Sequence, residues 1–434
     1  MAIVTLVANT FKVLANFERK SLGMPLLPLG IVPYPMTDAS VPEAQRRAMA
    51  IIDDVINGLT VQPESAQGSG KGGLVAEVKL DDTSLEGVNA AFYAKRWTDG
   101  MVIVPPTRTR VEAMLAYTDL APETELGRMG PSWQPTTVHH AAVNAVMAGC
   151  KPEYFPVVIA GLQAMLDPAL NLYGVQGTTN PAGVMLLVNG PIAKELDING
   201  GFNVFGQGWH ANGTIGRAAR LCMINIGGGR PGEGDMSTLG NPNKWGACIA
   251  ENEVQSPWPP FQVERGFAAT TSTVTAVATA APMNVVSMAP EGEAVARGLA
   301  QALTAQGSNN QIFDNQPMVV VSPLQANRLH AAGFDKPKLR AYLYEHGRFS
   351  VDDMFPVDQR VIREWKQRCV RVVDGKEWIY PTRTPEDIGI AVAGGDSGPH
   401  SAILATFNGT SLVTKAIARA DGAPVASVQD LKRK

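Results

Sequence analysis

The first 61 residues alternate between strand and helix but contain too few elements to close a domain. Residues 2–8 and 26–32 are apolar runs of strand length, and residues 41–59 place apolar side chains at helical spacing. A sheet of such units needs both of its faces covered and its edges protected. Residues 1–61 therefore predict a partial doubly wound α/β sheet, whose open edge is covered by something outside it.

Two further segments complete the predicted organisation. Residues 62–73 are polar and rich in Ser and Gly, which is typical of a linker. Residues 74–434 alternate again between helix and strand and predict a larger α/β domain that divides into two lobes near 270–290. We detect no internal repeat. With 434 residues, the chain is long enough to bury a sizeable core.

Residues 199–260 form a glycine-dense segment inside the larger domain. Three glycines in a row stand at 227–229, and one helix, predicted from Thr214 to Ile224, interrupts the segment. Tryptophans are scattered through it, so its composition differs from that of a flexible linker. Glycines permit tight turns and close approach of the backbone to other backbone or to a ligand. We therefore predict an irregular but folded segment.

Charge and cysteine content narrow the class of protein. The net charge of −3 leaves no basic surface for nucleic acid or an anionic membrane, and no uncharged run predicts a membrane span. The four cysteines, at positions 150, 222, 248 and 369, contain no Cys-x-x-Cys pair. That spacing argues against a zinc ribbon, a dithiol redox motif or a secreted disulfide scaffold. We predict a cytoplasmic protein with reduced thiols that binds neither nucleic acid nor membrane.

Cys150 stands at a predicted junction between two helices. A run of small apolar residues from His140 to Gly149 predicts a buried helix that ends at the glycine, and Pro152 opens the next helix. The free N–H groups at a helix start, together with the charge of Lys151, favour a thiolate over a thiol. The alternative is a small apolar cysteine in a packed turn.

Two further residues are candidates for general acid/base chemistry. His210 precedes a predicted helix in the glycine-dense segment, and Glu251 alternates with Glu253, so that the two carboxylates share one face of a strand. Arg217 and Arg220 are neighbours on one helix face and can clamp an anionic group, or pair with acidic residues. Arg217 and Asn212 are the predicted substrate contacts of this segment.

Another candidate for substrate binding follows the predicted strand 388–392. In a doubly wound sheet, ligands bind beyond the carboxyl ends of the strands. The turn Gly394-Gly395-Asp396-Ser397-Gly398-Pro399-His400 can therefore present Ser397 and His400 to a substrate, or form a plain surface turn. The Gly-x-Ser-x-Gly spacing of a hydrolase nucleophile is missing, because Pro399 stands at the second glycine position.

Several short motifs resemble those of the bacterial UGSC-type (seleno)proteins and their longer relatives, over nearly the whole chain. These motifs are Trp97-Thr98-Asp99-Gly100, Asn144-Ala145-Val146-Met147-Ala148-Gly149-Cys150, Asn189-Gly190-Pro191, Ala250-Glu251-Asn252-Glu253, Ser256-Pro257-Trp258 and Val392-Ala393-Gly394-Gly395. Residues 1–60 resemble the back half of the small UGSC domain, whereas its front half, with the Sec/Cys-Gly-Ser-Cys signature, is absent. Asn9 also stands where the family has a cysteine. The resemblance implies a separate subunit that supplies the missing half, and no particular activity.

The first hypothesis is a cysteine-dependent enzyme. It acts on a small organic substrate by redox or addition/elimination chemistry, with Cys150 as the thiolate. His210 or Glu251 is then the acid/base, and Arg217 holds an anionic group.

Two alternatives stay open. One is a metal-dependent hydratase, lyase or hydrolase with Cys150, His210, Glu251 or Asp235 as ligands. No motif indicates a cofactor, so a metal ion is the only one considered. The other is a non-catalytic subunit of a complex. For any of the three hypotheses we expect a homo-oligomer, or a hetero-oligomer with a small UGSC-type subunit.

Overall fold

The computed structural model describes residues 3–34, 39–60 and 78–433, so the predicted linker at 62–73 lies outside the described residues. Within these residues the α-helices are α1 Lys12–Ser21, α2 Val41–Ala50, α3 Ile52–Thr60, α4 Leu85–Ala94, α5 Arg108–Leu115, α6 Val138–Ala148, α7 Phe155–Met165, α8 Leu172–Gly177, α9 Pro191–Glu195, α10 His210–Asn225, α11 Phe261–Glu264, α12 Gly292–Leu303, α13 Asn309–Ile312, α14 Pro323–Ala331, α15 Lys336–His346 and α16 Pro356–Trp365.

Strands alternate with these helices, which confirms the predicted α/β class. The strands of the described residues are β1 Thr5–Ala8, β2 Leu29–Val32, β3 Glu125–Met129, β4 Gln134–Thr137, β5 Gly183–Asn189, β6 Ala247–Ala250, β7 Thr273–Thr279, β8 Met283–Val286, β9 Met318–Val321, β10 Phe349–Ser350, β11 Val370–Val373, β12 Lys376–Ile379, β13 Gly389–Val392, β14 His400–Leu404 and β15 Val413–Ala416.

Two four-stranded sheets form the centre of the larger domain. The first sheet has the order β15-β7-β5-β6, and the second sheet has the order β13-β9-β14-β8. In each sheet an edge strand runs parallel to its neighbour, and the other two pairings are antiparallel. The two sheets therefore share one pattern of strand directions, but the chain visits their strands in a different order.

The two sheets pack against each other through their inner faces. Met185 and Leu187 of β5 share one apolar cluster with Val320 of β9 and Leu404 of β14. The chain passes between the sheets after β7, within the predicted division near 270–290, but β15 returns to the first sheet. The two layers are therefore not consecutive halves of the chain.

Helices cover the outer faces of both sheets. Alternate residues of β5, such as Leu186 and Val188, pack with α6, α7 and α10, and Val319 of β9 packs with α12, α14 and α15. The larger domain thus has four layers, helix, sheet, sheet and helix. Both faces of β5 are buried, which explains why the strand is apolar throughout instead of alternating with polar residues.

Helix α7 is the most enclosed of the outer helices. Every residue of it except Gln163 is buried. In the described residues no single helix is long and apolar enough to cross a membrane, and one sharply bent pair of helical segments, Pro152–Met165 with Pro168–Gly177, meets those criteria of length and composition together.

Glycines in the glycine-dense segment allow α10 to lie directly on the start of β6. An added Cβ at Gly216 would stand 2.5 Å from the backbone nitrogen of Ala247, and one at Gly246 would meet the backbone of Arg217. Gly246 also has a φ of +118°, which side chains with a Cβ rarely adopt. These glycines serve contact between backbones, one of the two uses predicted for them.

The N-terminal unit contains only a small part of a sheet. Strands β1 and β2 are parallel neighbours, and the predicted single helix over 41–59 is instead two helices, separated at Ile51. Large apolar side chains remain exposed, among them Leu6 at 61% and Ile56 at 49%. The structure describes one chain, so the predicted oligomer or partner subunit stays a prediction.

Candidate functional site

The structure contains the predicted helix–glycine–cysteine junction at Cys150. Gly149 closes α6 in the left-handed conformation, with a φ of +88°, which is a common way for a helix to end. The N–H of Cys150 then donates to the carbonyl of Ala145 at 3.0 Å. A three-residue 3-10 turn, Pro152–Tyr154, follows and leads into α7.

The environment of Cys150 disfavours the predicted thiolate. The residue is only 9% exposed, and burial raises the pKa of its thiol to about 12 from the ordinary 9.0. A hydrogen bond with Thr214 and the charge of Arg217 act in the opposite direction but are smaller effects. The junction faces the core, and its first turn is too short for a strong dipole, so burial dominates.

Iodoacetamide should react slowly with Cys150 in the folded protein near neutral pH. Because the thiolate is the reactive form, the rate should rise about tenfold per pH unit and keep rising past pH 9. Peptide mapping by mass spectrometry identifies the labelled site, and a reduced cysteine peptide, whose rate levels off near its own pKa of about 8.5, is the reference. If the labelling rate of Cys150 already levels off below pH 8, the predicted thiolate at neutral pH would be supported instead.

His210 lies in a cleft next to this junction. It is the first residue of α10, its side chain is exposed, and its ring centroid lies 5.8 Å from that of Tyr154. The cleft has a volume of about 210 Å³. We call it the β5 cleft, because most of its wall comes from the segments that follow β5. Its lining residues are Lys151, Glu153, Tyr154, Glu195, Leu196, Asp197, His210 and Ala211.

Most polar side chains of the β5 cleft have no partner within the described part of the chain. No hydrogen bond or ion pair there involves the side chains of Lys151, Glu153, Asp197 or His210, or the hydroxyl of Tyr154. Among the described residues no side chain caps the N-terminus of α10 either, so its first N–H groups lack a capping acceptor there. The cleft thus offers acid, base and hydrogen-bonding groups to a small molecule.

Tyr154 connects the cleft to Cys150. It is 4% exposed, and burial raises the pKa of its hydroxyl, with smaller contributions in the same direction from Glu153, Cys150 and Asp197. The hydroxyl therefore keeps its proton at neutral pH. Cys150 lies close enough to influence Tyr154, but it does not line the cleft.

Glu251 lies at a second, fully buried location. Its carboxylate accepts from the Asn189 side chain at 2.5 Å and from the backbone N–H groups of Phe261 at 2.7 Å and Val392 at 3.2 Å. The Nζ of Lys336 lies 3.5 Å away. Burial raises the pKa of Glu251, and the positive charge of Lys336 opposes that shift. We call these residues the Glu251 cluster.

The Glu251 cluster corrects the predicted acid/base role of Glu251. The four groups around its carboxylate come from the end of β5, the start of α11, the end of β13 and the start of α15. Both oxygens of the carboxylate accept hydrogen bonds from the protein, and the side chain is fully buried. Glu251 therefore joins the two sheets at the carboxyl ends of their parallel strands, and the side chain is closed to a substrate.

Arg217 and Asn212 are also engaged within the protein, which corrects their predicted role as substrate contacts. Arg217 donates to both carboxylate oxygens of Asp99, at 2.7 and 2.9 Å. The amide of Asn212 bonds to the backbone N–H of Asn199 at 2.8 Å and to its carbonyl at 3.0 Å. Both side chains hold neighbouring segments in place, because Asp99 and the backbone of Asn199 are themselves buried and need partners.

Ser397 and His400 lie outside the β5 cleft. Both are exposed, between β13 and the start of β14. The Nδ1 atom of His400 lies 3.1 Å from the side-chain oxygen of Asn284 on the neighbouring strand β8. The plain surface turn, which was the alternative for this segment, agrees with that placement.

The predicted metal ligands are dispersed. Asp235 pairs with Lys244 at 2.8 Å, the Glu251 carboxylate is buried in its own cluster, and His210 lines the β5 cleft, which Cys150 does not. Across the described residues, no three His, Cys, Asp or Glu side chains gather in a way that could hold a metal ion. The donor set proposed for a metal-dependent enzyme is therefore not assembled.

Tyr154 and Asp197 line the cleft but were not predicted as site residues from the sequence. Tyr154 was part of the helix start next to Cys150, but nothing in the sequence indicated that its ring would face His210. Asp197 follows the turn after β5, and the rule that ligands bind beyond the carboxyl ends of parallel strands could have indicated it.

Comparison with family models, with curated proteins and with solved structures found no match for this chain. The resemblance to the UGSC-type family therefore stays a prediction, and the site must be interpreted from its own geometry.

Proposed function

We propose that this protein is an enzyme that transfers protons on a small organic molecule in the β5 cleft, in addition or elimination chemistry. The supporting observation is that most polar side chains of this cleft make no hydrogen bond or ion pair within the described residues. Glu251, Arg217 and Asn212 are, in contrast, all engaged by the protein. A concave space lined by free acid/base groups is what such a reaction requires.

His210 is the proposed base. Its side chain is exposed at the N-terminus of α10, and histidine is the residue type best suited to exchange protons near neutral pH. In an elimination, His210 takes a proton from a substrate carbon. The electron pair of that C–H bond forms the double bond, and the leaving group departs with its own bonding pair.

Tyr154 is the proposed acid. Its raised pKa keeps the hydroxyl protonated at neutral pH, so it can give a proton to the departing group. The proton held by His210 then returns to Tyr154 through solvent, and both residues regain their starting state. The addition reaction runs through the same steps in reverse.

Cys150 takes no part in the proposed steps. It lies outside the lining of the cleft, and its thiol is protonated at neutral pH. Elimination and addition need no electron donor, so a redox-active thiol is not required. This proposal keeps the addition/elimination chemistry of the first hypothesis and replaces its cysteine dependence by dependence on His210.

Replacing His210 by alanine is expected to lower catalysis by about 100-fold or more, because loss of a general base costs about 10²–10⁴ in rate. Proton transfer can be followed before the substrate is known. Mixtures of small carboxylic, hydroxy and amino acids are incubated with the protein in D₂O, and loss of C–H signals is recorded by ¹H NMR.

Two control variants make this test specific. His330→Ala changes an exposed histidine on α14 and should leave the exchange rate unchanged. Cys150→Ala should retain activity within about tenfold of wild type, since removal of a neutral packed thiol should lower the rate far less than removal of a general base. The proposal fails if His210→Ala catalyses C–H exchange at the wild-type rate. It also fails if the wild-type protein catalyses neither C–H exchange nor consumption of any of the compounds. A loss in Cys150→Ala as large as that in His210→Ala would return the reaction to cysteine.

A further inference from the structure

The β5 cleft brings groups of both charges around one aromatic ring. His210 lies 5.8 Å from the ring centroid of Tyr154, and the Nζ of Lys151 lies 5.9 Å from it. Glu153 and Asp197 are close enough to the Tyr154 hydroxyl to raise its pKa. A ligand that covers Tyr154 therefore meets basic and acidic groups at once.

The two acidic groups are free to bind a cation. Glu195 is already engaged, because its oxygens accept from the hydroxyl of Ser427 at 2.7 Å and from the N–H of Val428 at 3.2 Å. Glu153 and Asp197 have no such partners in the described part of the chain. Two carboxylates without a counter-ion favour an ammonium group between or beside them.

The anionic end of a ligand is favoured at the N-terminus of α10. This helix has 16 residues and no side-chain cap, and its first two residues, His210 and Ala211, line the cleft. N–H groups without a side-chain cap and the helix dipole both favour a carboxylate there. Lys151 adds a positive charge that no carboxylate of the described residues neutralises.

A second observation points to a ligand in this cleft. Tyr154 is 96% enclosed, since only 4% of its surface is exposed, yet its hydroxyl makes no hydrogen bond to any described residue. The ring is thus buried, whereas the hydroxyl oxygen is not among the fully buried atoms that lack a partner, so it opens onto the cleft. The hydroxyl of a largely buried tyrosine ordinarily has a hydrogen-bond partner. Tyr154 lines the cleft, so a bound molecule can supply that partner.

We infer that the ligand of the β5 cleft is a small zwitterion of amino-acid size, with its carboxylate at the start of α10 and its ammonium group at Glu153 and Asp197. The volume of about 210 Å³ is below the roughly 300 Å³ at which sites for drug-sized ligands begin, so the ligand is small. This inference rests on the site of the proposed function, and it concerns binding, which is measurable without turnover.

Three probes of similar size separate the two charges. L-alanine carries both, propionate only the carboxylate, and ethylamine only the ammonium group. By isothermal titration calorimetry, L-alanine should bind at least tenfold more tightly than either of the others. Asp197→Asn should weaken the binding of L-alanine at least tenfold and leave that of propionate unchanged, because only the ammonium group loses a partner.

The control variant is Asp374→Asn. Asp374 is exposed in the turn between β11 and β12, with a φ of +52°, and Asp197 has a nearly equal φ of +53°. The two substitutions therefore make the same demand on the backbone, and Asp374→Asn should bind L-alanine like wild type. Circular dichroism confirms that both variants are folded.

The inference is overturned if propionate or ethylamine binds as tightly as L-alanine, if L-alanine does not bind, or if Asp197→Asn binds it like wild type. The outcome is separate from that of the proposed function. If L-alanine binds but no C–H exchange depends on His210, the proposed enzymatic function is contradicted and the zwitterion site is supported. If L-alanine does not bind, but His210-dependent exchange occurs in a compound with a single charge, the enzymatic function is supported and the zwitterion inference is contradicted.

Discussion

Replacing Lys336 by methionine is expected to lower the free energy of unfolding by about 3–5 kcal/mol, because it leaves a buried carboxylate without its cation. Lys336 is 1% exposed, and its Nζ lies 3.5 Å from Glu251 and 3.6 Å from Glu264. Neither contact is a hydrogen bond, so the pair is held by charge and by enclosure. Chemical denaturation followed by circular dichroism measures the loss.

Two companion variants test whether the loss comes from the Glu251 cluster. Lys338→Met on the same helix removes an exposed lysine and should change the free energy of unfolding by less than about 0.5 kcal/mol. The double variant Glu251→Gln with Lys336→Met should lose less than the sum of the two single variants, by about 0.5–3 kcal/mol, because the pair acts as a unit. If Lys336→Met is as stable as wild type, the cluster does not join the sheets in the way described.

Substitution of Gly216 by alanine is expected to lower the free energy of unfolding by about 3 kcal/mol, the upper part of the ordinary range for overpacking. The new Cβ would stand 2.5 Å from the nitrogen and 2.8 Å from the carbonyl carbon of Ala247. Both obstacles are backbone atoms at the start of β6, so neither can rotate away as a flexible side chain could. Thermal and chemical denaturation report the loss.

Gly213→Ala is the matched control on the same helix. No atom lies within 4 Å of the Cβ that this substitution adds. Alanine also favours the helical state over glycine by about 1 kcal/mol, so the variant should be slightly more stable than wild type. Opposite effects of one chemical change, made one turn apart, would establish that α10 rests on the backbone of β6. Equal melting temperatures for the two variants would contradict that contact.

Some features of the candidate site were predictable from the sequence, and others were not. The junction at Cys150 and the position of His210 before a helix were predictable, because caps, glycine at a helix end and proline at a helix start are local signals. The chemical state of Cys150 was not, since the pKa depends on burial by distant elements. Arginine is likewise a residue type suited to bind an anionic substrate group. Only the tertiary structure shows that Arg217 is instead paired with Asp99, which is far away in the chain.

The sequence by itself determined the α/β class, the strands and helices with strong periodicity, and the glycine-dense segment as a folded one. Each of these depends on local preferences or on the spacing of apolar residues. Only the tertiary structure decided that two four-stranded sheets stack between helix layers, with Glu251 beside Lys336 and His210 placed against Tyr154. These juxtapositions bring together residues far apart in the chain. They are set by which faces pack together, and that information is not carried by any single segment.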